Sequence, residues 1–95
     1  MVNVHGVAHG VVVFALADAA FAAASNADGV PAVALAMSIQ FLEAARVGET
    51  LVAEAREQRV GRRAAFYAMT VTGRAGRKIA TCQGVVHRRL GGGVS

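Results

Sequence analysis

The chain has 95 residues and a net charge of +4, from ten Lys+Arg against six Asp+Glu. Hydrophobic residues make up 55% and charged residues 17%. That composition excludes intrinsic disorder, which needs low hydrophobicity and high charge, and excludes a coiled coil, which carries far more Glu and Lys. A single domain of this length, here 1–95, buries only about 60–65% of its unfolded surface. Much of its apolar content is alanine, which buries little area apiece. Subunits are therefore expected to share a core in an oligomer.

The basic balance favours anionic partners: nucleic acid, a membrane surface or a phosphate-bearing small molecule. Four Phe, one Tyr and no Trp offer few stacking platforms for single-stranded nucleic acid, so no nucleic-acid partner is expected. The single cysteine, Cys82, has no internal disulfide partner, which fits a reducing, cytoplasmic setting. No Lys or Arg precedes the first apolar run, so no secretory signal is read there. That run, residues 11–24, is shorter than the ~20 residues a membrane span needs and carries Asp18, so no membrane association is expected.

In chain order, residues 1–10 read as an entry loop with glycines at 6 and 10. Residues 11–25 read as one helix. Its start is loose by a turn, because Val11-Val12-Val13 leans toward β structure, and Asn26-Ala27-Asp28-Gly29 ends it. The helix is apolar nearly all round, which predicts that something wraps it. From there the period falls to two. Val33, Leu35, Met37, Ile39 and Phe41 predict one face of a strand. Thr50 to Val60 predicts a second strand, with Leu51, Ala53 and Ala55 on one face. Gly61-Arg62-Arg63 is a turn, and Ala65, Tyr67, Met69 and Val71 mark a third strand. Gly73-Arg74-Ala75-Gly76 is another turn, and Lys78 to Arg88 a fourth strand. Short hairpin links predict an antiparallel meander, and one helix with four such strands is an α+β layer fold.

Asp18 is the one charge inside the predicted helix, and a lone carboxylate among apolar neighbours is costly unless paired or used; a solvent-facing Asp is the plain alternative. Gly10 stands immediately before the helix, where unpaired N–H groups sit at the positive end of the dipole. Such an N–H can polarise an acyl carbonyl and hold the oxyanion formed on attack, although an ordinary loop-to-helix junction has the same sequence. Gly10 and Asp18 are eight residues apart, roughly 12 Å along a helix. An Asp side chain does not bridge that gap, so joint action on one carbonyl requires Asp18 from a second subunit. Two helices antiparallel about a two-fold axis supply that arrangement.

Asn3-Val4-His5-Gly6-Val7-Ala8-His9-Gly10, then Phe14-Ala15-Leu16-Ala17-Asp18, resembles the hotdog-fold acyl-CoA thioesterases, closest to the phenylacetic-acid-degradation branch. The similarity runs on through Phe21, Ser25-Asn26, Ser38-Ile39, Phe41-Leu42, Gly48-Glu49, Leu51, Arg62-Arg63, Tyr67, Ala80 and Gly84. It implies a long central helix wrapped by an antiparallel sheet, assembled as a homodimer or homotetramer. It also implies hydrolysis of CoA thioesters, aryl-acetyl or medium-chain, without a cofactor or metal. By resemblance, Asp18 is the catalytic carboxylate, as nucleophile or as general base. Gly10 supplies the polarising N–H, and Asn3 and His9 hold the carbonyl or the water. Arg62 and Arg63, at a hairpin turn, are candidate clamps for the CoA phosphates, since Arg forks match phosphate oxygens; a solvated rim is the bland reading.

The chain departs from the family at three places. Val11 replaces a second glycine, Glu43-Ala44 replaces Arg-Pro, and the family's N-terminal helix and first strands are absent ahead of the motif. The missing strands and Val11 support a rival, a non-catalytic truncated hotdog that dimerises or binds acyl-CoA. His5 and His9 lack a nearby Cys or carboxylate, so no metal site is expected, and Cys82 reads as inert packing.

Overall fold

A computed structural model describes the backbone of residues 2–5 and 10–89 and the side chains of residues 12–89. Strand β1 is Val2–His5, helix α1 is Gly10–Ser25, and strands β2 to β5 are Ala32–Phe41, Thr50–Val60, Ala64–Thr72 and Lys78–Arg88. A 3₁₀ turn, Arg74–Gly76, joins β4 to β5. All pairings are antiparallel, in the order β1-β3-β4-β5-β2. The expected α+β layer of one helix on an antiparallel sheet is present. Two details of the topology differ from the sequence reading. The segment read as an entry loop holds β1, paired with β3 from Val2 opposite Ala53 to His5 opposite Thr50. Only β3, β4 and β5 form a meander; β2 joins on the far side of β5.

Helix α1 ends where side chains compete for backbone groups. Asn26 Nδ2 donates to the Ala22 carbonyl at 2.9 Å, and its Oδ1 accepts the Ala32 N–H at 3.1 Å. Asp28 Oδ1 accepts the Val30 N–H, and its other oxygen accepts Arg88 Nη2 at 2.8 Å. The helix terminus is thereby tied to the end of β5.

Val13, Leu16, Ala17, Ala20 and Phe21 are buried, the i, i+3, i+4 spacing of one helical face. They pack over β3 and β4 against Leu51, Ala53, Ala65, Tyr67, Met69 and Val71, with Ile79, Ala80, Cys82 and Val86 of β5 completing the core. The sheet covers that face only. Phe14, Ala15, Asp18, Ala19, Ala22 and Ala23 lie exposed on the other. A β-bulge between Ala34 and Ala36 resets β2. Ala34 opposes buried Val86, and Met37 and Ile39 oppose Gly84 and Cys82 on the helix side, while Val33 opposes His87 on the outer side. The predicted continuous face from Val33 to Phe41 is therefore split at Leu35, which is 63% exposed.

Cys82 is buried, and burial pushes its thiol up to about 11. With so little thiolate at pH 8, it should react with an aromatic disulfide reagent about two orders of magnitude more slowly in the folded chain than after denaturation. Equal absorbance rates at 412 nm in the two states would show that the thiol is accessible.

Candidate active site

Gly10 opens α1, and Asp18 lies two turns further along on the face turned away from the sheet, its side chain exposed. The helical geometry puts about 12 Å of rise between them. Within one protomer the two groups do not converge on one atom. Phe14, Ala15, Ala19 and Ala22 surround Asp18 on that face. The three alanines there are small enough for a second helix to approach closely.

Asn3 is in β1 opposite Val52, at the sheet edge next to β3. His9 lies outside the described residues. Arg62 and Arg63 are exposed in the turn between β3 and β4. The Arg63 carbonyl accepts the Arg88 N–H, and Arg88 pairs with Asp28 just beyond the helix C-terminus. The pair therefore sits at the far end of α1 from Gly10. In an antiparallel helix pair it is the partner's copy of this turn that faces the Gly10 end. Among the described residues no group of His, Cys, Asp or Glu could hold a metal ion, and no helix is long and apolar enough to cross a membrane.

One buried carboxylate escaped the sequence reading. Glu49, directly after the β2–β3 turn, accepts the Arg46 N–H on Oε1 at 2.8 Å and the Arg74 N–H on Oε2. Arg77 Nη2 reaches both oxygens, at 2.6 and 2.7 Å. Arg77 also donates to the Ala44 carbonyl and lies 3.6 Å from Glu43. The β2–β3 and β4–β5 connections are thus locked together at one end of the sheet. Gly73 permits the lock, because a Cβ at that position would overlap the Glu49 carboxylate. The Gly48-Glu49 pair was visible in sequence, but its partner lies 28 residues away, and no local pattern announces it.

The Arg46 and Arg74 amides, then Arg77, hold the Glu49 carboxyl below its usual 4.5. Its stabilising contribution is therefore complete above that value and lost as pH falls through the lower folded-state value. The same sign holds for Asp28, whose carboxyl is lowered by the Val30 amide and Arg88. Thermal melts should show the midpoint falling below about pH 4.5. Gly73→Ala, by displacing the carboxylate, should lower the midpoint at pH 7 and flatten that acid dependence. A Gly73→Ala midpoint that tracks the parent at every pH would remove Glu49 from this role.

The thioesterase superfamily model matches residues 5–80 of the 95. The chain belongs to the thioesterase superfamily. Its superfamily relatives agree in sequence and in fold. The acyl-coenzyme A thioesterase PaaI of Escherichia coli is 37% identical over 95 residues, all of this chain and 67% of that protein. A solved structure of that protein, from the phenylacetic acid degradation operon, superposes with a TM-score of 0.82 over 92% of this chain and 62% of the other. A relative from Archaeoglobus fulgidus, carrying only a provisional esterase name, is 46% identical over 90% of this chain and 56% of its own length. A Streptococcus mutans protein solved with acetyl CoA superposes with a TM-score of 0.80 at 29% identity, over 84% of this chain and 64% of that one. The chain thus spans a little over half of the Archaeoglobus fulgidus relative. The expected hotdog resemblance stands: the helix and antiparallel sheet superpose on the PaaI structure.

Proposed function

We propose that the protein hydrolyses acyl-CoA thioesters, with aryl-acetyl or medium-chain acyl groups, as a homodimer or a homotetramer built from dimers, in the cytoplasm. The observation that carries this reading is the placement of Asp18. Its carboxylate is the one charge on the exposed helix face of a thioesterase-superfamily chain, two turns from the first helical N–H.

In the proposed site the Gly10 N–H of one subunit donates to the thioester carbonyl, and Asp18 of the other faces the carbonyl carbon. If Asp18 is the base, it takes a proton from water and the hydroxide adds to carbon. The oxyanion rests on the Gly10 N–H until the C–S bond breaks and the thiolate leaves with a proton. If Asp18 is the nucleophile, its oxygen adds to the carbonyl carbon, the C–S bond breaks and the thiolate leaves, taking a proton from water; a water molecule then opens the mixed anhydride, releasing the acid and restoring the Asp18 carboxylate. Asn3 and His9 orient the carbonyl or the water. Arg62 and Arg63, contributed by the subunit that supplies Asp18, face the phosphates of the carrier. Exposed Leu35, Phe41, Leu42 and Phe66 support the oligomer, since a chain this small gains stability by covering them.

Thiol release from phenylacetyl-CoA and octanoyl-CoA tests the reading, and turnover above the uncatalysed rate is expected for at least one. The second reading, a binding module without turnover, rests on Val11 at the helix mouth. Coenzyme A binding with no thiol release across a graded acyl series would replace the first reading with the second.

A further inference from the structure

The Glu49 lock has a second aspect. The two amides its oxygens accept belong to Arg46 and Arg74, and both arginine side chains are exposed and form no hydrogen bond or ion pair among the described residues. Both line one cavity of about 340 Å³, whose wall is completed by Val47, Gly48, Glu49 and Thr50. The carboxylate in that wall does not cancel them, because both its oxygens are engaged by the Arg77 guanidinium. One buried group therefore fixes the roots of two arginines, and a third arginine neutralises that group. Two exposed arginines without a carboxylate partner thus line a shared hollow. The Arg74 turn is also held in an unusual form. Ala75 has φ 60, a left-handed conformation that a side-chain-bearing residue keeps only where its surroundings hold it.

The cavity stands at a particular end of the molecule. Thr50 opens β3 opposite His5, the last residue of β1, and from His5 the chain leads to Gly10 at the start of α1. The cavity is thus at the Gly10 end of its own subunit, whereas Arg62 and Arg63 are at the other end. Guanidinium forks match phosphate oxygens in geometry and charge, and a hollow of this size accepts a diphosphate.

We propose that Arg46 and Arg74 form a phosphate subsite, which holds the phosphorylated end of the thioester's carrier in the subunit whose Gly10 N–H binds the carbonyl. This rests on the thioesterase reading for the identity of the carrier, but the binding itself does not depend on turnover.

Calorimetric titration of the full chain with free coenzyme A, and separately with pantetheine, which lacks the phosphates, tests it. Arg46→Gln with Arg74→Gln should weaken coenzyme A binding by about tenfold or more, the loss expected for charge-assisted bonds to phosphate, and leave pantetheine unchanged. Raising the salt should weaken coenzyme A binding to the parent chain more steeply than to the double variant. Arg46→Glu alone should be at least as damaging as Arg46→Gln. A coenzyme A affinity within about twofold of the parent, an equal loss for pantetheine, or a parent chain that binds no coenzyme A would each overturn the subsite. A parent chain that loses coenzyme A on these substitutions yet releases no thiol from any thioester would keep the subsite and bring down the hydrolase reading instead.

Discussion

Mixing Asp18→Asn chains with Gly10→Pro chains should restore thioester hydrolysis that neither protein shows alone. Asparagine keeps the shape of the carboxylate but neither takes a proton at that position nor attacks carbon, so kcat should fall by ~10²–10⁴ with KM little changed. Proline suits the first helical position, where its fixed φ is already correct, and it removes the one N–H assigned to the carbonyl. Gly10 is the first residue of α1, so the substitution leaves the intrahelical bonds further along untouched. If each site joins one subunit's Gly10 to its neighbour's Asp18, a mixed dimer contains one site with both native groups and one with neither. After subunit exchange at equal concentrations, half the dimers are mixed, and activity should return to about a quarter of the parent level. If both groups act within one chain, every site in the mixture lacks one of them and no activity returns. Thiol release followed during exchange separates these outcomes, and its failure to rise would end the composite-site account.

That account was partly legible in the sequence, for a physical reason. A charge inside an apolar run is conspicuous, and the helical rise converts eight residues into a distance that one side chain does not span. The strands β3, β4 and β5 were legible because a period of two, bounded by Gly-containing turns, leaves few alternatives. Thr50–Val60 and Lys78–Arg88 have the bounds the pattern predicted. β1 was not legible. Four residues, Val2–His5, become a strand by pairing with Val52 and its neighbours some fifty positions away, and local sequence carries no trace of that. The bulge in β2 was hidden because Val33, Leu35 and Met37 alternate without interruption; only the pairing with β5 shows that one residue is extra. The Glu49 lock failed for the same reason as β1. Its members are separated in sequence and meet only where two connections converge at one end of the sheet.

Replacing Phe21 should be the most damaging single change to the fold. Its side chain is 2% exposed, and its ring meets Tyr67 edge-on at 5.8 Å between centroids. The other side of the ring lies on Gly84, where an added Cβ would stand 2.5 Å from Cζ. Phe21→Ala should cost ~3–5 kcal/mol, lowering the melting midpoint by about 4–8 °C for each kcal/mol at fixed protein concentration. Gly84→Val should cost ~1–3 kcal/mol from the opposite cause, too much volume under the ring. The two causes share one space, so their costs should not add. Phe21→Leu with Gly84→Ala should be less destabilised than the sum of the single changes, with a coupling of ~0.5–3 kcal/mol. Additive costs in denaturant melts would mean that the ring does not rest on Gly84. The contact also bears on chemistry, because Phe21 is three residues beyond Asp18 on the same helix. Seating the ring between Tyr67 and Gly84 fixes the rotation of α1 about its axis and keeps Asp18 on the face away from the sheet. The Phe21→Leu single variant, still folded at 20 °C, should therefore lose kcat while its affinity for coenzyme A holds, and adding Gly84→Ala should not restore the rate, because the ring that sets the helix rotation is gone.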